Sequence, residues 1–139
     1  MENDYSMIEK LADEAFDGYG IYRLVNGRLE IVRVNNSYKC VMGYSPGDII
    51  ESGLNVWSRI HPDDAKCSAK ACEQALESGK AVRATVRRYG RNDEILYLDG
   101  THIALGSSEF CIAFNDVTEH YTNKVKLEAI MRNFDCGIA

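Results

Sequence analysis

Proline occurs only twice in 139 residues and tryptophan once, and no apolar run approaches the roughly 20 residues that a membrane-spanning helix needs. The opening M-E-N-D-Y-S has neither the basic start nor the apolar core of a signal peptide. The segment is therefore expected to be cytoplasmic and to make no membrane contact of its own; an anchor elsewhere in a longer parent is a separate question. Positive charge is also scarce, with 16 Lys and Arg against 21 Asp and Glu, a formal net charge of -5. Phosphate contacts need clustered Lys and Arg in excess, so a nucleic-acid surface is not expected.

Signals for catalysis and metal binding are missing too. The five cysteines, Cys40, Cys67, Cys72, Cys111 and Cys136, form no C-x-x-C pair and read as reduced thiols packed as small hydrophobes. Cys67 and Cys72 are five apart on a predicted helix, about 140° round its axis, and do not face one ion. His61, His102 and His120 have no Ser or Cys beside them in a nucleophile motif, and there is no glycine-rich phosphate loop. Gly18-Tyr19-Gly20 reads as a structural bend. Arg83, Arg87, Arg88 and Arg91 read as a solvated strand face rather than an anion site. No enzymatic activity is expected of this segment.

What the chain does contain is the material of one domain with a real core, 45% hydrophobic and 27% charged. Ser6-x-x-Glu9 is a capping box, and Ile8, Leu11, Ala12, Ala15 and Phe16 follow at helical spacing, predicting an amphipathic helix over 6–16. Two strands follow, about Tyr19 to Val25 and Arg28 to Val34, joined by Asn26-Gly27, a pair suited to a type I′ turn with φ > 0 at both residues. After Gly79 the period becomes two: Val82, Ala84 and Val86 alternate with Arg83, Thr85 and Arg87, and Ile95 to Leu105 and Glu109 to Asp116 give two more strands. Phe110 to Phe114 is apolar on both faces, so a second layer must cover the outer one, either the N-terminal helix or a partner chain.

Between the strand groups lies a lid. Asn35 or Asn36 can cap a short helix bearing Tyr38, Val41 and Met42, with Gly43 ending it. Ser45-Pro46 is suited to start a second helix, and Asn55 and Trp57 fall in a loop beyond it. Asp63 can cap a long helix from about Asp64 to Ser78, whose Ala65, Ala69, Cys72 and Leu76 form a face of small groups. The simplest architecture is α+β, a five-stranded antiparallel sheet with helices packed on one face and flanking N- and C-terminal helices. The divisions are a flanking helix over 1–17, the domain over 18–118, and over 119–139 a linker helix with the start of a further module.

The run V-N-x-x-Y, G-Y-S-x-x-(D/E)-I, W and I-H-P-D-D, together with the closing Asp116-Val117-Thr118, resembles the ordered signature of bacterial PAS domains across roughly residues 17 to 120. The resemblance implies a sensory or regulatory module that senses a small molecule or relays a signal to a covalently linked output domain, a cyclic-di-GMP cyclase or phosphodiesterase or a histidine kinase. The alternative is a ligand-free interaction and dimerisation module. Tyr38, Met42, Asn55, Trp57, Cys72 and Leu76 are the candidate cavity lining, with polar groups from Tyr38, Asn55 and Trp57 facing inward. Asp116 and Thr118 are the candidate relay residues. Photoreactive flavin domains carry N-C-R-F-L-Q where this chain has G-L-N-V-W-S, and haem-binding ones carry a histidine on the long helix, which this chain lacks. Both departures argue against those two cofactors. A parallel homodimer through the flanking helices is expected, using Ile8, Leu11 and Ala15 and, beyond residue 119, Leu127, Met131 and Phe134.

Overall fold

The computed structural model describes residues 6–48 and 54–124. The N-terminal helix α1 covers Ser6–Ala15 and is followed by β1 (Gly18–Val25) and β2 (Arg28–Val34). Asn26 and Gly27 have φ of 51° and 75°, the left-handed pair that closes the predicted hairpin. Helix α2 (Asn36–Met42), a 3₁₀ turn (Val56–Arg59) and α3 (Pro62–Ser78) form the lid, before β3 (Val82–Tyr89), β4 (Ile95–Ala104) and β5 (Glu109–Asp116). All neighbouring strands are antiparallel, in the order β2-β1-β5-β4-β3, so the first and last strands lie side by side at the centre.

Local chemistry sets each boundary of the lid. The Asn35 side chain accepts from the Tyr38 amide at 2.9 Å, and Gly43 ends α2 at φ 90°. Ser45-Pro46, expected to start a second helix, is not helical through Asp48, and the rest of that expected helix, residues 49–53, lies outside the described residues. Ser45–Asp48 closes as a turn, with the Asp48 amide on the Ser45 carbonyl at 2.9 Å and the Ser45 amide on the Asp48 carboxylate at 2.8 Å. Helix α3 also starts earlier than expected. His61 is its N-cap, Nδ1 accepting from the Asp63 amide at 3.2 Å, and Pro62 takes the first helical turn, where a missing N–H costs nothing. The Asp64 carboxylate is thereby left to hold β3: it accepts from the Arg87 amide at 2.8 Å and binds the Arg87 guanidinium through both oxygens.

Even-numbered residues of β3, β4 and β5 face the lid. Leu29, Ile31, Phe110, Cys72 and Ala75 belong to one buried cluster beneath α3. The buried face of α3 is Ser68, Ala71, Cys72 and Ala75, rotated from the expected Ala65 and Ala69 line. The outer sheet face is covered by α1, whose Ala12 packs with Ile21, Cys111 and Ala113 and is flanked by Ile8 and Phe16. Glu9 fixes that packing by gripping Arg33 of β2 at 2.9 and 3.1 Å. This splits the expected dimer face: Ile8 lies on the chain's own sheet, while Leu11 and Ala15 point away from it. Leu127, Met131, Phe134 and Cys136 lie outside the described residues.

Candidate ligand site between sheet and lid

A cavity of about 40 Å³ lies between the inner sheet face and the lid. Helix α2 contributes Tyr38 and Met42, the 3₁₀ turn Val56, the residue after it Ile60, and α3 Ser68. The sheet supplies Val86 and Arg88 from β3, Leu98, Gly100 and His102 from β4, and Tyr22, Ile112 and Phe114 from its centre. Two glycines of β1 make room for these rings. A Cβ at Gly18 would stand 2.6 Å from Phe114 Cζ and 3.0 Å from the Tyr38 backbone, and one at Gly20 would stand 2.6 Å from the Tyr22 hydroxyl. The Gly-Tyr-Gly start of β1 thus accommodates aromatic rings, and its strand backbone is not the bend that the sequence suggested.

The wall is mostly apolar, with two polar systems set into it. In the first, Trp57 Nε1–H donates to Ser68 Oγ at 3.1 Å, and Ser68 Oγ lies 3.2 Å from His102 Nε2. His102 Nδ1 lies 3.3 Å from the Val82 carbonyl, which can only accept. That acceptor places a proton on Nδ1, and in the neutral imidazole Nε2 then accepts from the Ser68 hydroxyl. Burial also lowers the His102 pKa below its ordinary value, in the same direction.

The second system is Arg88, only 6% exposed. Its Nη2 donates to the Tyr38 hydroxyl at 2.7 Å, and its Cζ lies 5.5 Å from the Tyr38 ring centroid. Its Nε is buried with no acceptor. Beside it, burial foremost holds the Tyr22 phenol well above its ordinary pKa, so that group stays uncharged.

Of the residues expected to line the site, Tyr38 and Met42 do so. Cys72, Trp57 and Leu76 instead belong to the filled core around Leu29 and Phe110. Asn55 is a scaffold residue: its Oδ1 accepts from the Leu29 amide at 3.1 Å and the Trp57 amide at 3.3 Å, tying the 3₁₀ segment to β2. The reading of Arg88 as part of a solvated arginine face is corrected, because Arg88 takes the next inward position after Val86. Ser68 and His102 were also missed. The period of two that turned Leu98 and Gly100 inward places His102 inward as well, and that was the available signal.

The exit from the sheet is tied sideways to β4. The Thr118 amide donates to the Asp116 carboxylate at 3.0 Å, and the Thr118 hydroxyl bonds the same oxygen. Thr118 Oγ1 accepts from the Tyr97 amide at 3.0 Å, and the Val117 amide donates to the Tyr97 carbonyl at 2.8 Å. Residues 118–124 are helical, and the Tyr121 ring stacks on Tyr97 at 4.9 Å. Tyr97 immediately precedes Leu98, which lines the cavity.

A five-stranded antiparallel sheet under a helical lid, with a cavity between them, defines an α+β fold of one kind, and the comparisons with known proteins agree. The PAS fold family model matches residues 31–114, and the chain belongs to that family. A sensory box histidine kinase/response regulator from Burkholderia thailandensis E264 is similar, at 18% identity and TM-score 0.68 over 92% of this chain and 97% of that one. The Rhodobacter sphaeroides LOV protein is similar at 18% identity and TM-score 0.61, over 81% of this chain and 67% of that one. A light-oxygen-voltage domain studied with a flavin analogue matches at 15% identity and TM-score 0.60, over 96% and 97%. No curated protein sequence matches the chain.

These likenesses correct one expectation. Several of the similar structures are light-oxygen-voltage proteins, so the sequence ground for setting flavin aside does not hold. The missing thiol bears on a covalent adduct, whereas the shape of the cavity governs whether a flavin is held at all. Among the described residues no cluster of His, Cys, Asp or Glu is arranged to hold a metal, and no helix is long and apolar enough to cross a membrane.

Proposed function

We propose that this PAS domain is a small-molecule sensor in which occupancy of the core cavity moves β4, and β4 moves the exit helix. The observation that carries the reading is the double role of β4. Leu98, Gly100 and His102 line the cavity, and Tyr97 on the same strand binds Thr118 and stacks on Tyr121. A ligand that shifts Leu98 therefore acts one residue from the exit joint, and one that shifts His102 acts on the same strand. Asp116 and Thr118 serve as the relay by fixing the direction in which the chain leaves the sheet. The output is an attached signalling enzyme, either a cyclic-di-GMP cyclase or phosphodiesterase or a histidine kinase. The fold likeness to a sensory box histidine kinase is in keeping with the latter.

The test is a metabolite screen by thermal shift, followed by amide hydrogen exchange. A ligand at about a hundredfold over its dissociation constant adds about 2.7 kcal/mol to stability. It is expected to slow exchange over residues 118–124 as well as around the cavity. Tyr97→Ala is expected to keep the thermal shift and lose the effect on the exit helix. A ligand that binds while exchange at 118–124 stays unchanged would refute the relay. A screen without hits would leave the domain as a ligand-free interaction module.

A further inference from the structure

Arg88 is a buried cation with no anion beside it among the described residues. Among the described residues every other arginine has a carboxylate within ion-pair distance: Arg23, Arg28, Arg33, Arg59, Arg83, Arg87 and Arg91. Those residues lie at the surface or partly exposed, where such pairing contributes little. Arg88 is the most buried of the set, and there an unpaired charge is costly. A guanidinium does not escape that cost by losing its proton. The groups around it do not supply the missing charge, since Tyr22 is a neutral phenol, His102 a neutral imidazole and Ser68 a hydroxyl.

The Arg88 surroundings are selective as well as electropositive. Nη2 is committed to Tyr38, while Nε is buried with its donor unused. The planar guanidinium fork matches a carboxylate better than a spherical ion. The rest of the wall, with Met42, Val56, Val86, Leu98 and Ile112, is suited to a short hydrocarbon tail. The space is tight: about 40 Å³ is roughly a quarter of the cavity of about 150 Å³ that takes benzene, so the wall must yield to admit even a two-carbon carboxylate and a larger ligand is disfavoured. Met42, an unbranched and adaptable side chain, is the element that can yield to admit a few more atoms.

Building on the sensor reading above, we infer that the cavity binds a small aliphatic monocarboxylate of two to four carbons, with its carboxylate on Arg88 and its tail toward Met42. The ligand thereby supplies the counter-ion that the fold omits, and Tyr38 holds the guanidinium in place for it.

The probes are sodium acetate, propionate and butyrate, titrated into the purified chain at constant ionic strength, with chloride, acetamide and butyramide as controls. At least one carboxylate is expected to raise the melting temperature in a saturable way, with the amides and chloride flat. Arg88→Met is expected to melt at or above the unliganded wild type, because it removes an unpaired buried charge, and to lose the carboxylate response by about tenfold or more in dissociation constant. In case that variant misfolds, ¹³C-labelled acetate, propionate and butyrate on the wild type give an independent reading: a bound resonance with cross-relaxation to Met42 and Tyr38 is expected for at least one of them.

Chloride matching the carboxylates, an unchanged response in Arg88→Met, or no bound signal from any of the three carboxylates would each overturn the inference. A neutral metabolite that stabilises Arg88→Met as well as wild type would sink the carboxylate proposal while leaving the sensor reading intact. Carboxylate binding that leaves residues 118–124 unchanged would do the reverse.

Discussion

Replacing Asn35 by alanine tests the joint on which the site depends. One side-chain oxygen accepts two amides, from Tyr38 at 2.9 Å at the start of α2 and from Tyr19 at 3.1 Å in β1. Its Nδ2 donates to Asp13 of α1 at 2.8 Å. Loss of the cap costs about 1 kcal/mol. Leaving the part-buried Tyr19 amide without its acceptor adds about 1 to 2 kcal/mol. The exposed bond to Asp13 adds little. The sum is about 2 to 3 kcal/mol, or roughly 10 °C in melting temperature for a domain of this size. Urea unfolding measures it directly: the midpoint should fall while the slope stays constant, since the surface exposed on unfolding is unchanged. Asn35→Asp keeps the shared acceptor but sets a second carboxylate against Asp13, so it should lose only about 1 kcal/mol and recover part of that in high salt. If alanine cost less than about 0.5 kcal/mol, or aspartate cost as much as alanine, Asn35 would not be the shared acceptor described here.

Three further outcomes follow from the same geometry. His102 is buried and neutral with a lowered pKa, so below about pH 6.5 the unfolded chain takes up a proton that the folded one refuses. Stability should fall from that pH toward the folded pKa, at up to about 1.4 kcal/mol per pH unit, and equilibrium unfolding of His102→Gln should show no such slope; an equal slope in the variant would assign it to another group. Gly18→Ala forces a Cβ into Phe114 and the Tyr38 backbone and should cost about 1 to 3 kcal/mol, whereas Gly47→Ala, with nothing within 4 Å, should be neutral or slightly stabilising by thermal melting. Met7 and Leu11 are 76% and 59% exposed on the side of α1 away from the sheet, so if a second copy docks there, Leu11→Glu should convert a dimer to monomer in sedimentation without changing the fold.

The periodic elements were legible because one signal covers many residues. The five strands, the Asn26-Gly27 turn and α2 with its Asn35 cap stand where alternation and caps put them. The errors came where a short polar stretch had two local solutions. Ser45-Pro46 suits a helix start as well as a turn, and through Asp48, which closes back on the Ser45 amide, the described residues are a turn. His61 caps α3 in place of Asp63 because Pro62 can occupy the first turn. The site was half legible. Tyr38 and Met42 followed from the α2 pattern, whereas Arg88 and His102 were set aside as charged or isolated residues although their strand register turned them inward. A type-based expectation that arginine faces water overrode the period, and the buried guanidinium is what makes the cavity chemically specific.

The side-by-side placement of β1 and β5 has a mechanical consequence. The chain enters at Asp17 and leaves at Asp116, and those two points are laced together: the Asp17 amide bonds the Phe114 carbonyl at 2.9 Å, and the Asp116 amide bonds the Asp17 carboxylate at 2.8 Å. In the antiparallel register Gly18 faces Phe114, so tension between the two ends pulls along these hydrogen bonds rather than across them. Such a seam opens like a zip, one bond at a time, at low force. A PAS domain strung within a longer signalling chain would then yield first where its two connections meet, and a tug on either connection would be felt at once by the other.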